Sequence, residues 1–296
     1  MVLKYKISLL LIIFMIILGL TFFYKKYYLD KVINTEVESK EEDNIYEEPH
    51  GKPEITNILL LGVDEEENAS DTIMILSLNE KKKTIKLVSI MRDTYIYQGE
   101  GMANKMNYAY HYGGVQGSID TINSVFNLEI SKYVKVDFEG LVNIVDYLGG
   151  VEVEISEEER KYINLQCDKS ILNNSGRVNL NGNQALAYTR IRKIDSDFQR
   201  TQRQRKIMAG IFDEMKNVDM VKYPKAIYTI SKSSETNLSM MELVELGEII
   251  YKYDKSNLGE LRIPIDGTSW DSSYGPYHLN WDEEVNKKTL HDFIYG

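Results

Sequence analysis

From Ile7 to Tyr24 the chain runs for 18 residues without a charge, and no other stretch limits its possible folds so strongly. At helical rise such a run covers about 27 Å, close to the ~30 Å hydrocarbon of a bilayer. A membrane helix is expected over 7–24. A cleavable secretory signal is the competing reading, but its apolar region is shorter and ends in small residues, whereas Phe22, Phe23, Tyr24 and Lys25 close this one, which favours retention. Lys4 and Lys6 in the short segment 1–6 argue for a cytoplasmic start, and Lys25 and Lys26 weaken that vote. Residues 25–54 are rich in charge and poor in apolar periodicity, as suits a solvated linker.

The folded part is expected over 55–296. With 296 residues and 43% hydrophobic content the chain can build a sizeable core. Ile58–Val63, Thr72–Leu78 and Ile85–Ile90 are apolar runs of strand length, and the charged stretch Asn79–Lys83 between the last two reads as a hairpin turn. Asp120–Asn127 and Phe138–Leu148 read as helices, the second closed by Gly149 and Gly150, and Tyr133–Asp137 as a strand. Val151–Ile155 alternates apolar and acidic residues as a half-exposed strand does. A long helix is expected from Asp197, which is able to cap it, with Ile207, Ile211 and Met215 on its inner face. Met240–Tyr251 reads as a helix and Leu261–Pro264 as a sheet edge. The sum is an α/β layered domain with a mixed sheet. Cys167 is the only cysteine, so no intramolecular disulfide is available and redox chemistry is not expected.

Five of the nine arginines lie between Arg190 and Arg205, in a chain of net charge −10. Guanidinium is the group for planar, two-pronged contact with phosphate or carboxylate, whereas lysine acts as a point charge. With only Asp195 and Asp197 nearby to answer them, the arginines imply an anion from outside. Arg190 and Arg192, two apart, point to one side if the segment is extended. Arg200, Arg203 and Gln204 share a helical face. Both sets can converge on one pyrophosphate. Nucleic acid or acidic lipid would also attract a basic stretch; an exported location disfavours nucleic acid, and lysine would serve a surface as well. Arg205 and Lys206 are read as plain surface charges.

Asp64 ends the first apolar run and Asp71 precedes the second. On neighbouring strands both carboxylates reach one end of the sheet, where they can hold a divalent cation against a phosphate; each alone is equally a turn or capping residue. Glu65, Glu66 and Glu67 read as solvated. Arg92 and Asp93 close the third run, and because adjacent residues pair poorly, a partner for Arg92 from outside the chain is expected. His111 sits among tyrosines and reads as structural.

These residues occur in eight ordered segments that resemble the LytR-CpsA-Psr family of cell-envelope proteins. The segments are Asn57–Asp64, Ser70–Thr72, Ser89–Thr94, Lys105–Tyr110 with Gly113 and Gly114, Val136–Gly140, Val145–Val151, Leu180–Arg192 and Asp197–Gln204. The resemblance spans about residues 55–215. It implies a mixed sheet between helices, with an apolar tunnel for a polyprenyl chain, on an extracellular domain behind the single N-terminal anchor. It also implies transfer of a glycopolymer, such as teichoic acid, capsule or another wall polymer, from an undecaprenyl-pyrophosphate carrier to a peptidoglycan sugar hydroxyl, assisted by Mg2+. Carried over by motif, Asp64 and Asp71 resemble the metal aspartates. Arg92, Arg190, Arg192, Arg200, Arg203 and Gln204 resemble the pyrophosphate-gripping set. The catalytic set is then Asp71, Arg92, Asp93, Arg190 and Arg192, with Asp71 or Asp93 accepting the hydroxyl proton. Two departures stand out: the family often places an arginine shortly after the first aspartate, where Glu65–Asn68 stand here, and a proline before Arg-Asp, where Met91 stands. Two rival readings remain, a polyprenyl-pyrophosphate hydrolase and a tethered, non-enzymatic binder of wall polyanions.

Overall fold

The computed structural model describes residues 54–97, 103–167, 170–219, 221–252, 258–273 and 276–296. The expected terminus 1–6, the anchor 7–24 and the linker 25–54, Glu54 excepted, lie outside the described residues.

Three of the apolar runs form the middle of one sheet. β1 (Ile55–Asp64), β2 (Ala69–Asn79) and β3 (Thr84–Ile90) make an antiparallel meander. In the turn between the last two strands, the Lys82 amide donates to Asn79 Oδ1 at 2.8 Å and Lys83 takes a φ of 53°. β4 (Tyr95–Tyr97) and β5 (Ala103–Lys105) form a small separate ribbon. Helix α1 (Tyr108–Phe126) follows, then β6 (Lys132–Val136), α2 (Phe138–Leu148), β7 (Val151–Ile155) and α3 (Glu157–Gln166). The chain continues through β8 (Gly176–Leu180), α4 (Gly182–Thr189), α5 (Asp197–Asn217) and α6 (Tyr223–Lys232). It ends with β9 (Glu235–Thr236), α7 (Met240–Lys252), β10 (Leu258–Ile263), the hairpin strands β11 (Ser269–Asp271) and β12 (Leu279–Trp281), and α8 (Glu283–Tyr295).

The main sheet has the order β10-β3-β2-β1-β6-β9. β6 runs parallel to β1 and β10 parallel to β3, while the other pairings are antiparallel. Both faces are covered, which is why the central strands read as unbroken apolar runs. Leu59, Leu61, Ile73, Ile75 and Val88 pack against α1 and α8 on one face. Ile58, Leu76, Leu78 and Ile85 meet α5, α6 and α7 on the other. Leu59, Met74, Ile75, Leu87 and Val88 are fully buried, each worth about 1.5–3 kcal/mol of transfer free energy.

Three sequence expectations need correction, and one strand, found as expected, takes its partner outside the main sheet. The helix expected over Asp120–Asn127 begins at Tyr108, and its early turn is set off by Gly114 at a φ of 59°, a left-handed value that only glycine takes cheaply. The strand Val151–Ile155 alternates as expected but pairs with β8, outside the main sheet, against α5. Asp197 does not cap α5: Ser196 is the N-cap, without a side-chain bond, and Asp197 is the first helical residue. Finally, Arg190 does not lie in an extended segment. A capping box of Asn181 and Gln184 starts α4, so Arg190 falls at that helix's C-cap with φ −97° and ψ 1°.

Candidate active site

Between the second face of the sheet and the helices lies a cavity of about 580 Å3. Its long wall is apolar, built from Met74 and Leu76 of β2, Phe212 and Met215 of α5, and Leu246 and Ile250 of α7. One set of lining residues is strongly polar: Asp64, Asp71, Arg190, Arg192, Arg200 and Gln204. Side chains from β1, β2, α4 and α5, up to 140 positions apart in the chain, therefore meet on one wall.

Local backbone detail explains how Asp71 gets there. The β1–β2 register runs Gly62 with Thr72 and then Val63 with Ser70, so Asp71 is the extra, unpaired residue of a bulge. Simple alternation would send Asp71 to the side of Ile73 and Ile75, away from Asp64. A bulge re-aims the side chain and twists the strand end. Gly62 allows the close pairing beside it, since a Cβ there would sit 2.9 Å from Thr72 Cβ. Asp64, almost fully buried, accepts the Glu66 and Glu67 amides on Oδ1 at 3.1 and 3.2 Å, while Oδ2 takes no hydrogen bond among the described residues. The turn role and the site-facing position thus coexist in one residue.

Asp71 is a hub. Arg92 Nη1 donates to its Oδ1, Arg192 Nη2 approaches the same oxygen at 3.3 Å, and Gln204 Nε2 donates to its backbone carbonyl at 3.4 Å. The partner expected for Arg92 from outside the chain is thus supplied from within, by Asp71, and Arg92 Nε also lies 3.6 Å from Asp93 Oδ2. Asp93 is buried and bound by Lys105 Nζ at 2.7 Å; neither residue lines the cavity. Arg190, exposed at the mouth, stacks over the Phe138 ring with its guanidinium carbon 4.3 Å from the centroid.

Arg200 is the decisive group. Only 2% exposed, it donates from Nη2 to Asp197 Oδ2 at 2.9 Å, and its Nε and Nη1 have no hydrogen-bond partner among the described residues. Orphaned buried donors are rare and costly. Burial pushes the Arg200 guanidinium down to about 10, with Arg92 and Arg192 adding repulsion, while Asp197 and Asp71 pull the other way. Burial likewise raises the Asp197 carboxyl, against the pull of Arg200. Arg200 also lines the cavity beside Arg190 and Arg192, with its Nε and Nη1 left unused. A bound anion would satisfy both.

Arg203 does not join this group. Its Nε meets Glu159 Oε1 at 2.7 Å, its Nη2 binds Asp195, and its Nη1 donates to the Ile191 carbonyl at 3.1 Å. At 3% exposure and with Nε, Nη1 and Nη2 all bound inside the protein, it fastens the Ile191–Asp195 loop and does not line this cavity. The shared face with Arg200 and Gln204 breaks down because three residues turn a helix by about 300°, leaving a 60° offset that here separates cavity from loop. Arg205, read as a surface charge, is also buried, with Nε 3.1 Å from Glu260 Oε2. His111 holds the Asn68 carbonyl at 3.2 Å through Nδ1 and touches no cation site. Glu67, read from sequence as solvated, is exposed and also lines the cavity; Lys193 and Phe138 there were not singled out, and of these only Phe138 carried a signal, in the segment Val136–Gly140.

The chain is similar to proteins already known. The family model described as the LytR_cpsA_psr family matches residues 21–291. A polyisoprenyl-teichoic acid–peptidoglycan teichoic acid transferase, TagU of Bacillus anthracis, is 36% identical over 227 residues, 73% of this chain and 71% of that protein. The TagU of Bacillus mycoides is 34% identical over 250 residues, 81% and 78% of the two chains. Among solved structures, TagT bound to LI-WTA has a TM-score of 0.71 at 27% identity, covering 85% of this chain and 94% of that one. TagT with bound octaprenyl pyrophosphate lipid has a TM-score of 0.66 at 26% identity and the same coverage. With the family model matched over nearly its full length and more than two thirds of the chain aligned at over 30% identity, this protein belongs to the LytR_cpsA_psr family.

Proposed function

We propose that this chain is a membrane-anchored, outward-facing phosphotransferase that moves a wall glycopolymer from a polyprenyl-pyrophosphate carrier to a peptidoglycan sugar hydroxyl. Like its curated relatives it is a transferase, and teichoic acid, the polymer in their names, is the first candidate for transfer. One observation carries the reading: two partnerless guanidinium donors on Arg200 share a cavity with a long apolar wall. That combination suits a ligand with a diphosphate head and a hydrocarbon tail, the chemistry of the octaprenyl pyrophosphate bound to TagT. The uncharged run over 7–24 supplies the anchor and, at a membrane surface, would bring the cavity to lipid carriers of the undecaprenyl kind.

In the reaction, an acceptor hydroxyl oxygen forms a bond to the polymer-proximal phosphorus. The bond from that phosphorus to the bridging oxygen breaks, prenyl phosphate leaves, and Asp71 or Asp93 takes the hydroxyl proton. Phosphoryl transfer asks for alignment and charge neutralisation more than for covalent help. Arg200 binds the diphosphate through Nε and Nη1; Arg92 and Arg192, both held by Asp71, line up beside it; Arg190 guards the mouth from its seat on Phe138. Mg2+ fits the donor set, because that ion takes one or two carboxylates and completes its shell with phosphate oxygens and water. Asp64 through Oδ2, and Asp71, would hold it. When bound, the ion would add neutralising charge at the diphosphate.

The deciding experiment supplies purified protein with prenyl-pyrophosphate-linked polymer, with and without peptidoglycan, and with and without EDTA. Polymer joined to peptidoglycan, dependent on Mg2+, is the expected result. Free polymer released whether or not peptidoglycan is present would make the protein a hydrolase, and polymer retained unchanged in EDTA would make it a binder.

A further inference from the structure

The reaction needs an acceptor sugar beside the diphosphate, yet the long wall of the cavity is apolar and its polar groups are the ones assigned to the diphosphate and the metal. Chemistry suited to one lies around Asp93, next to Arg92. There Asp93 is bound by Lys105 Nζ at 2.7 Å, and the same ammonium stands 5.4 Å from the centroid of the Tyr277 ring. Tyr277 is 49% exposed, and its hydroxyl donates to Asp271 Oδ1 at 3.2 Å. Its place is fixed by the residues that follow it. The Leu279 amide donates to the Asp93 carbonyl at 2.8 Å, and the neighbouring His278 ring stacks on Tyr95 with centroids 4.7 Å apart. Trp281 Nε1 donates to the Tyr95 carbonyl at 2.8 Å. An exposed ring is thus anchored to the backbone of Asp93 and polarised by a cation that also binds its carboxylate.

We propose that Tyr277, backed by Lys105, is the platform on which the acceptor glycan strand lies, so that the segment Pro276–Trp281 forms the acceptor side of the active site. This rests on the transferase reading. A pyranose ring has an apolar C–H face that packs on an aromatic side chain and hydroxyls that seek polar neighbours; Tyr277 presents the first surface, with Asp271 and Asp93 beside it for the second. A rigidly held aromatic loses little conformational entropy on binding. Burial, Asp271, and then Asp93 and Asp197 push the Tyr277 hydroxyl up to about 12, so it stays a neutral donor within the field of the site's carboxylates. A glycan strand is favoured over a protein partner because the ring is continuous with the reacting end of the sheet through Lys105 and Asp93, where the hydroxyl must arrive.

The test uses the full-length protein in detergent, prenyl-pyrophosphate-linked polymer as donor, and peptidoglycan glycan fragments of defined length as acceptor. Tyr277→Ala should raise the acceptor KM about tenfold, equivalent to about 1.4 kcal/mol of lost contact, with donor KM and donor binding unchanged. Tyr277→Phe and Tyr277→Trp should restore it, which a merely structural role of the hydroxyl would not allow. An unchanged acceptor KM in Tyr277→Ala overturns the platform, as does a parallel loss of donor binding or failure of both aromatic variants to restore activity. If the wild-type protein releases polymer without using any acceptor, the transferase reading itself fails and this inference goes with it.

Discussion

Arg200 and Arg203 lie one helical turn apart, are equally buried, and should respond in opposite ways to the same substitution. Arg200→Met removes a cation whose Nε and Nη1 have no partner among the described residues, so the free enzyme loses one bond, to Asp197. That carboxylate keeps 21% side-chain exposure and remains in the field of Arg92 and Arg192. Stability should therefore fall by no more than about 1 kcal/mol, since the desolvation cost of the buried guanidinium vanishes with it. Diphosphate binding loses two charge-assisted hydrogen bonds at about 1.5–3 kcal/mol each. Affinity should drop by roughly 10² to 10⁴. Arg203→Met instead strands Glu159 and Asp195 and frees the Ile191 carbonyl; removing one member of so buried a network costs about 3–5 kcal/mol. Denaturant unfolding of the soluble domain gives the first quantity, and titration with a short-chain prenyl pyrophosphate gives the second. If Arg200→Met proves the less stable protein, or if Arg203→Met weakens the ligand as strongly while folding normally, the division between ligand-facing and loop-fastening arginines is wrong.

Three further outcomes are expected. Gly247 lines the cavity, and a Cβ there would meet Tyr223 Oη at 2.2 Å, while that hydroxyl is buried without a partner; Gly247→Ala should cost about 1–3 kcal/mol, Tyr223→Phe should be neutral or stabilising, and the double variant should recover most of the loss in a thermal melt. Removing Mg2+ with EDTA should abolish transfer, and Asp64→Asn should raise the Mg2+ concentration needed for half-maximal rate without unfolding the protein; an unchanged Mg2+ dependence would take Asp64 out of the metal site. Phe138→Leu removes the ring under Arg190, an exposed cation–π contact worth about 0.5–1 kcal/mol; kcat/KM for the donor should fall about two- to fivefold, and no change would mean the stacking plays no part.

The central strands were legible because burial on both faces writes itself into sequence as unbroken apolar runs, as at Ile58–Val63 and Thr72–Leu78. α2 was legible to the residue: Asp137 accepts the Gly140 amide at its start and Gly149 ends it at a left-handed φ of 89°. The early turn of α1 was hidden because Tyr108–Gly114 has no apolar period; Ala109 is buried there and Tyr110 packs into the core on that face of the sheet. Most of the polar site could be named in advance, since arginine is scarce in this chain and clustered. The mistaken members show the limit of that signal. Arg203, expected at the phosphate, and Arg205, expected at the surface, carry the same group as Arg200; beside the nearby Asp195, which alone could not be known to claim Arg203, their partners Glu159 and Glu260 lie 44 and 55 positions away.

What sequence alone determined is therefore the kind of protein: its apolar runs and their periods, an uncharged stretch long enough for a bilayer, and a store of guanidinium groups in an acidic chain, all properties of residues and their near neighbours. What only the tertiary structure decided is which charges are spent inside the protein and which remain for a ligand. The bulge that turns Asp71 toward the cavity, the pairing that consumes Arg203, and the burial that leaves Arg200 with two idle donors all depend on chains meeting from far apart. The balance between desolvation and pairing is set by those meetings, because a charge's energy depends on everything within a few ångströms and not on its place in the chain.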